Sequence, residues 1–320
     1  MKLPSLTAAG FAAAALFAAG GSARPLGFNY ASPSWSPDGR ELVFLSARGP
    51  TGDIILATAN GKRIRKLTPA ALLSQVVWSP DGRQIAFVAG GHVFVVNRDG
   101  SGRRQLGTGA GVAWSPDSTR LAFDSGWVGP IQVANTDGSG RIRVTSGRYD
   151  RAPSWSPDGS SLVFSRAQSA GGPEALYVVG VDGVGLRSLG IQGADPSWSP
   201  RGDRLAYWGR RQDGVALAVA AFDGSTVQIT RPLPAYSGPA RWSLDGSMLL
   251  FAPCSGTGAC RVDVADPDGR DVTILAPGAD PAWAPDGKRV AFSARRLCRT
   301  SGIFTIDADG KRLARLTPCR

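Results

Sequence analysis

Trp35-Ser36-Pro37-Asp38-Gly39 is the stretch that decides the fold, because related pentapeptides follow it along the whole chain of 320 residues. Each further copy differs from the first by at most one residue. The copies begin at Trp78, Trp114, Trp155, Trp198, Trp242 and Trp283. Successive tryptophans are therefore 36 to 44 residues apart, and a regular period of this length indicates a repeat architecture.

The pentapeptide predicts a tight turn between two strands. Proline fixes φ at the first central position of a type I turn, aspartate suits the second, and glycine accepts the left-handed position that follows. A short apolar run comes after every copy, as in Leu42-Val43-Phe44 and Ile85-Ala86-Phe87. Such runs predict buried strands. The tryptophan ends the preceding strand, where we expect its ring to fill the space between neighbouring sheets.

Each repeat also carries a second hairpin. In the first repeat we predict a third strand at residues 54–56, a turn at Asn60-Gly61 and a fourth strand at residues 64–68. The later repeats have Asp-Gly at the same place, as in Asp99-Gly100 and Asp309-Gly310. Four antiparallel strands in about 40–45 residues make one propeller blade. We therefore predict an all-β fold for residues 24–320, a seven-bladed β-propeller with four antiparallel strands per blade.

The repeat, with its W-S-P-D-G turn, apolar strand, D-G turn and closing Leu-Thr, resembles the TolB-like propeller repeat, also called the WD40-like or PD40 repeat. The resemblance covers residues 30 to 320. It implies a periplasmic or cell-surface protein whose propeller docks partner proteins of the envelope. TolB itself combines an α/β domain with six blades, whereas this sequence predicts seven blades and no α/β segment before them. We therefore carry over none of the family's partner-binding residues.

Residues 1–23 are typical of a secretory signal peptide. Lys2 supplies the positive start, residues 8–19 form an apolar run, and small residues precede Arg24. The alternative is a membrane anchor, but the run is shorter than the ~20 residues that a spanning helix needs. We expect an exported protein, periplasmic, secreted or on the cell surface, with no integral membrane segment after cleavage. The sequence leaves open whether Phe28-Asn29-Tyr30 adds an outer strand to the last blade.

Four cysteines lie late in the chain: Cys254, Cys260, Cys298 and Cys319. In an exported protein an even number indicates disulfides, and four cysteines allow three pairings. We expect Cys254 to pair with Cys260, which would close the loop between them. Cys298 would then pair with Cys319 and tie the last blade to the chain end. A zinc site is the weaker alternative, because the spacing does not match zinc motifs and the sequence contains one histidine.

The charge and the loops indicate where a partner would bind. A formal net charge of +11 favours acidic partners, although arginines on outer strands also discourage edge pairing. Both kinds of hairpin turn lie at one end of the propeller, the turn face. The loops between second and third strands, and those between blades, lie at the other end, the variable-loop face, where binding residues are expected. Arginine and aromatic residues are enriched at binding hot spots, and our partner-binding candidates on this face are Trp127, Arg148, Tyr149, Arg151, Trp208, Arg210, Arg211, Arg295 and Arg296. Trp208 has the alternative of a core position, because it ends a strand.

Groups suited to catalysis are scarce in the sequence. Glutamate occurs only as Glu41 and Glu174, most aspartates fall in turns, and no G-x-S-x-G motif is present. We give His92 no catalytic role and predict no cofactor and no metal. The resulting hypothesis is a monomeric, non-enzymatic scaffold that binds a protein or peptide of the cell envelope, and nucleic acid is not expected as a partner of an exported chain. The alternative is a carbohydrate- or polyanion-binding propeller, or a propeller enzyme, with its site at the central channel.

Overall fold

Seven four-stranded sheets build the protein. The computed structural model describes residues 29–48, 51–126, 128–221, 225–295 and 301–318, and these ranges contain thirty strands and no helix. Every neighbouring pair of strands within a sheet is antiparallel. The prediction of an all-β, seven-bladed propeller with four strands per blade is therefore confirmed.

Each of the first four blades uses four strands that are consecutive in the chain. Their bounds are β1 Asn29–Trp35, β2 Glu41–Arg48, β3 Thr51–Thr58 and β4 Ile64–Ala71 in blade 1; β5 Leu73–Trp78, β6 Gln84–Ala89, β7 His92–Asn97 and β8 Arg104–Thr108 in blade 2; β9 Val112–Trp114, β10 Arg120–Asp124, β11 Ile131–Asn135 and β12 Ile142–Arg143 in blade 3; and β13 Asp150–Trp155, β14 Ser161–Ala167, β15 Glu174–Gly180 and β16 Arg187–Gln192 in blade 4.

The last three blades are also four-stranded, and a separate two-stranded sheet lies beside blade 6. Their strands are β17 Ala194–Trp198, β18 Arg204–Arg211, β19 Gly214–Ala221 and β20 Thr226–Gln228 in blade 5; β22 Arg241–Trp242, β23 Leu249–Phe251, β25 Arg261–Ala265 and β26 Val272–Pro277 in blade 6; and β27 Ala279–Trp283, β28 Arg289–Ala294, β29 Gly302–Asp307 and β30 Ala314–Arg315 in blade 7. Two short strands, β21 Ala235–Tyr236 and β24 Pro253–Cys254, pair with each other beside blade 6.

The W-S-P-D-G turn forms through a small network of side-chain hydrogen bonds. Ser36 Oγ donates to Asp38 Oδ1 at 2.6 Å, and the same carboxylate oxygen accepts the Arg40 amide at 3.0 Å. The Glu41 amide donates to Ser36 Oγ at 2.9 Å, and Gly39 takes the left-handed conformation with φ of 67°. The hydrogen bond from Ser36 lowers the pKa of Asp38. The turn chemistry expected from the sequence is therefore present.

The core lies between the sheets. A phenylalanine from the second strand of six blades is almost completely buried, namely Phe44, Phe87, Phe123, Phe164, Phe251 and Phe292. The turn tryptophans bridge neighbouring blades, as expected: Trp114 Nε1 donates to the Val77 carbonyl at 3.3 Å, and Trp155 Nε1 donates to the Ala113 carbonyl at 3.0 Å. Burying one such aromatic side chain contributes on the order of 1.5–3 kcal/mol, so packing between blades holds the ring together.

The first and last blades meet without sharing a strand among the described residues. Asn29 and Tyr30 pair with Ala47 and Ser46 of blade 1, so the described part of the segment at residues 28–30 belongs to the first blade. Phe28 lies outside the described residues. The Tyr30 amide donates to Ser301 Oγ of the last blade at 2.8 Å. Tyr30, Phe44 and Ile303 share one hydrophobic cluster, and side-chain packing therefore closes the ring.

Candidate functional site

The first strands of neighbouring blades contact each other and line the central channel. Each of these strands runs from the variable-loop face to the turn face, because each ends at a W-S-P-D-G turn or its variant. The start of each first strand therefore lies near the variable-loop face, and several polar side chains are found there. This region is the channel mouth, and the arginine candidates lie around it.

Two Asp-Pro pairs place carboxylates at the channel mouth. Asp195 begins blade 5 and Asp280 begins blade 7, and both lie in the left-handed region with φ of 50° and 52°. Ser32 and Ala152 precede prolines at the same place and have φ of 50° and 52°. A left-handed residue other than glycine costs of the order of 1–3 kcal/mol, and such residues concentrate at functional sites. The first strand of these four blades is therefore kinked where it opens into the channel.

Hydrogen bonds from adjacent blades hold these kinks. Asp124 Oδ2 accepts the Ala152 amide at 3.2 Å, and Ser165 Oγ accepts the Asp195 amide at 3.0 Å. The Asp124 carboxylate also accepts the amides of Gly111 and Gly126 at 3.1 and 3.0 Å. Burial raises the pKa of Asp124, whereas these backbone donors act in the opposite direction. Asp124 therefore serves as a structural link between blades 3 and 4.

Tyr236 and Ser237 connect the two channel carboxylates. The Tyr236 hydroxyl forms a hydrogen bond with the Asp195 carboxylate, and Ser237 Oγ donates to Asp280 Oδ1 at 3.4 Å. Ser293 Oγ adds a hydrogen bond to Asp280 Oδ2 at 3.1 Å. Burial raises the pKa of Asp195 and also that of Tyr236, whose hydroxyl therefore stays protonated as the donor. Consecutive residues before blade 6 thus reach back to blade 5 and forward to blade 7.

Trp208 packs against the ring of Tyr236. Its indole stacks on the Tyr236 ring with centroids 4.3 Å apart and planes inclined by 11°, and its Nε1 donates to the Gly238 carbonyl at 3.1 Å. Only 1% of Trp208 is exposed. Trp208 is therefore a core residue, and its selection as a partner-binding candidate is corrected. The sequence could not separate the two positions, because an aromatic residue at a strand end fits either.

The arginine candidates divide into paired and exposed side chains. Arg151 forms an ion pair with Glu174 across blade 4, and its charge opposes the burial that raises the pKa of Asp195. Arg211 Nε donates to Gln228 Oε1 at 3.3 Å. Arg210 and Arg295 are exposed and form no salt bridge with any described residue.

The remaining candidates lie at the edge of blade 4 or outside the described ranges. Arg148 is exposed, and its guanidinium lies 5.9 Å from the centre of the half-buried Tyr149 ring. Arg148, Tyr149 and Arg151 thus come from the start of blade 4. Trp127 and Arg296 are not among the described residues.

Arg241 lies in the channel itself. The residue immediately before the turn tryptophan is small in the other six blades: Ser34, Val77, Ala113, Ser154, Ser197 and Ala282. Arg241 occupies this position in blade 6 and lines a cavity of about 80 Å³ together with Ser32, Gln75 and Asp280. Arg241 is exposed to the solvent of the channel, but desolvation by the surrounding wall lowers its pKa, and Asp280 acts against this effect. Sequence reasoning missed this residue, although an alignment of the seven repeats contains the signal.

The comparisons with known proteins now decide the family. The model of the TolB beta propeller domain, PD40, matches residues 23–190 and 106–277. This chain belongs to the TolB beta propeller domain family. The Tol-Pal system protein TolB of Zymomonas mobilis subsp. mobilis is 40% identical over 72 residues, which are 22% of this chain and 16% of that protein. The chain therefore matches about one sixth of the length of this curated TolB relative.

Solved propellers share the fold of this TolB-family chain. The structure of putative TolB from Agrobacterium tumefaciens superposes with a TM-score of 0.57 at 21% identity, over 70% of this chain and 91% of that one. An oligogalacturonate lyase in complex with manganese superposes with a TM-score of 0.70 at 16% identity, over 88% and 90%. At these identities the likeness concerns the fold alone, which serves a protein of the Tol-Pal system and an enzyme alike.

The cysteines of this TolB-family propeller were predicted to form two disulfides. Cys254 and Cys260 are bonded at an S–S distance of 1.99 Å, as expected for the first pair. Cys298 and Cys319 lie outside the described residues, so their pairing stays a prediction. The observed disulfide closes the loop that follows β24, the strand that pairs with the segment carrying Tyr236. It therefore stabilises the same side of the channel mouth.

His92 contacts a glutamine and a phenylalanine of its own blade. His92 Nδ1 lies 3.0 Å from Gln105 Nε2, and its ring packs edge-on against Phe94. No group of three or more histidine, cysteine, aspartate or glutamate side chains within the described ranges is arranged to hold a metal ion. The described residues also contain no helix that could cross a bilayer. Residues 1–23, predicted as a signal peptide, fall outside the described ranges.

Proposed function

We propose that this protein is an exported, non-enzymatic scaffold that binds a protein or peptide of the cell envelope through its variable-loop face. The name of the curated relative, a Tol-Pal system protein, supports an assignment to the envelope. The predicted signal peptide and the Cys254–Cys260 disulfide support export, because disulfides persist in oxidising compartments. The proposal includes a monomeric protein without a cofactor.

The observation that carries the proposal is the difference in hydrogen bonding between the channel mouth and the surrounding loops that carry Arg210 and Arg295, which we call the rim. The carboxylates at the mouth are engaged within the protein, Asp195 by Tyr236 and Asp280 by Ser237 and Ser293. At the rim, Arg210 and Arg295 are exposed and form no salt bridge with a described residue. Arginines in this state supply donors for carboxylates of a partner. An acidic protein or peptide surface is therefore the favoured ligand.

Charge reversal on the rim tests this proposal. The variant R210E/R211E/R295E is compared with R104E/R143E/R187E, in which three exposed arginines of outer strands change by the same total charge. We expect the rim variant to capture about tenfold less envelope protein than the control variant when both are crosslinked in the native host. The reason is that several charge-assisted hydrogen bonds disappear. Equal capture by the two variants would contradict a binding site on the variable-loop face.

A carbohydrate or polyanion site at the channel mouth is the second candidate function. It is favoured by one arrangement: Asp195, whose pKa is raised by burial, lies against Tyr236 and near the charge of Arg151. Carboxyl groups with raised pKa values are candidates for acid–base chemistry. A thermal-shift screen with neutral and acidic oligosaccharides separates the candidates. Stabilisation by acidic sugars that D195N or Y236F abolishes would favour the second candidate over protein docking.

A further inference from the structure

A second cavity opens at the turn face, at the opposite end of the channel from the mouth. It has a volume of about 350 Å³ and lies where the first strands of blades 4, 5 and 6 end. Its apolar wall consists of Trp155, Pro157, Trp198, Pro200, Trp242 and Leu244. Arg241 lines it from the channel side. We call this space the turn-face cavity.

Blade 6 departs from the repeat at two positions, and both line this cavity. Leu244 replaces the proline that the other six turns carry, and 75% of its side chain is exposed. Arg241 replaces the small residue of the other six blades. Neither change adds to the buried core between blades, because Leu244 and Arg241 are both exposed. Because both residues line one cavity, we interpret the two changes as parts of a single binding site.

Two of the three tryptophans of this cavity are more exposed than those of the first blades. Trp35 and Trp78 are 6% and 4% exposed, whereas Trp198 and Trp242 are half-buried. Their indoles offer apolar surface next to Leu244. Apolar and aromatic walls with a few placed polar groups are the usual composition of ligand sites, and the volume lies at the lower end of their range. The cavity has room for one apolar side chain and its backbone.

Arg241 gives the cavity a cation that nothing in the described residues neutralises by contact. Its guanidinium forms no salt bridge and no side-chain hydrogen bond with any described residue. The side chain is exposed to solvent, and the charge of Asp280 acts on it without forming a salt bridge. A guanidinium presents a planar fork of donors that matches a carboxylate. The complementary ligand therefore carries a carboxylate beside an apolar group.

Ser197 supplies a further polar group for a peptide backbone. Its carbonyl accepts Trp242 Nε1 at 3.0 Å, but its hydroxyl forms no hydrogen bond with a described residue. In blades 1 and 4 the equivalent hydroxyls, those of Ser34 and Ser154, accept the amide of the next blade's tryptophan. The Ser197 hydroxyl is thus left for a ligand. A peptide amide or carbonyl can use it, whereas an alkyl chain cannot.

We propose that the turn-face cavity binds the C-terminal residue of a peptide chain, with its carboxylate on Arg241 and an apolar side chain against Trp198, Trp242 and Leu244. The site lies on the face opposite the rim arginines and does not depend on the docking proposed for the variable-loop face. It assigns a binding role to the face that has the more uniform sequence.

Isothermal titration with acetylated pentapeptides tests the proposal on the intact protein. The probes are acetyl-Gly-Ser-Gly-Gly-Leu as the free acid, the same peptide as its C-terminal amide, and decanoate. We expect the free acid to bind at least about tenfold more tightly than the amide, since only the acid pairs with the guanidinium. Decanoate, which lacks backbone amides for Ser197, should bind more weakly than the peptide acid.

Variants separate the charge from the apolar wall. R241Q should abolish the difference between acid and amide, and L244P, which restores the proline of the other repeats, should weaken both peptides alike. R187Q, which changes an exposed arginine of the outer strand β16, is the matched control and should change neither. The rim arginines are unaltered in all these variants, so that failure here is distinct from failure of the rim proposal. Equal binding of acid and amide to the unaltered protein, no binding at millimolar concentration, or tighter binding of decanoate would each overturn the peptide C-terminus as ligand.

Discussion

Blade 6 and the other six blades share one repeat but use it differently. In the other six blades the residue before the turn tryptophan is small and the turn carries proline. Blade 6 has Arg241 and Leu244 at these positions, an additional pair of strands and a disulfide. The comparison teaches that in a repeat protein the blade that breaks the pattern is the place to look for function, because the shared residues already account for the fold.

The largest expected effect comes from the residue that supports the segment before blade 6. W208A removes a side chain that is 1% exposed, together with its stacking on Tyr236 and its hydrogen bond to Gly238. We expect a loss of about 3–5 kcal/mol in the free energy of unfolding, as for other large aromatic residues replaced by alanine in cores. Urea denaturation followed by far-ultraviolet circular dichroism measures it.

L186A serves as the control for this variant. Leu186 is an apolar residue that is 41% exposed, and we expect its replacement to change the free energy of unfolding by less than about 0.5 kcal/mol. If W208A were as mild as L186A, Trp208 would not be the support of the Tyr236 segment. The buried position assigned to it here would then have to be abandoned.

The disulfide should have the next largest effect on blade 6. Cys254 and Cys260 are six positions apart in sequence, and a closed loop of this size contributes roughly 2 kcal/mol in the chain-entropy treatment. C254S/C260S should therefore lower the free energy of unfolding by about that amount and leave the other blades folded. Peptide mapping of the oxidised protein is the accompanying check. A bond from Cys254 to Cys298 or Cys319 would contradict the pairing.

Asp195 should make the free energy of unfolding depend on pH, through its hydrogen bond with Tyr236 of the segment before blade 6. Burial raises its pKa in the folded protein above the usual value of 3.8, so the folded state binds this proton more strongly than the unfolded state does. The associated stability is present at pH below 3.8 and is lost as the pH rises through the folded pKa. D195N keeps an acceptor for the Tyr236 hydroxyl and lacks the titrating group.

The measurement for Asp195 is the unfolding free energy between pH 4 and pH 7 in steps. We expect D195N to lose less stability than the unaltered protein as the pH rises through this window. D245N is the matched control, because a hydrogen bond from Ser243 lowers the pKa of Asp245 to about 2, below the window. A steeper loss for D195N than for the unaltered protein would show that burial does not dominate at Asp195.

The sequence predicted the parts of the fold that depend on local chemistry. Turn residues such as Pro37 and Gly39 specify their backbone geometry directly, and the apolar runs specify buried strands. The kinks at Ser32 and Asp195 could not be predicted in this way. A residue before proline favours extended backbone, and hydrogen bonds to other parts of the ring, such as that from the Asp195 amide to Ser165 Oγ, override the preference.

The candidate site was predicted only in part for a related reason. Exposed arginines at loop positions, such as Arg210 and Arg295, follow from the order of strands, since the loop between second and third strands has to lie on the variable-loop face. The burial of Trp208 depends on Tyr236, which is 28 residues further along the chain. Contacts between blades of this kind are not encoded in any single repeat.

The smallest expected effect comes from adding the turn serine to blade 7, the one blade whose turn has alanine at this position. Blade 7 has Ala284 where five other turns have a serine whose hydroxyl donates to the turn aspartate, as Ser79 does to Asp81 at 2.6 Å. Ala284 is buried at 1% exposure next to blade 1. A284S should place a hydroxyl within reach of Asp286 and of the Arg289 amide. We expect a gain of about 0.5–1.5 kcal/mol in unfolding free energy, the usual net value of one hydrogen bond.

S79A is the reverse change and should lose about the same amount, because the Gln84 amide and Asp81 both use the Ser79 hydroxyl. Equal and opposite effects would show that the turns are independent units that differ only in composition. If A284S instead destabilises the protein, the contact of Ala284 with blade 1 leaves no room for the oxygen. Closure of the ring would then constrain blade 7 more tightly than the shared turn does.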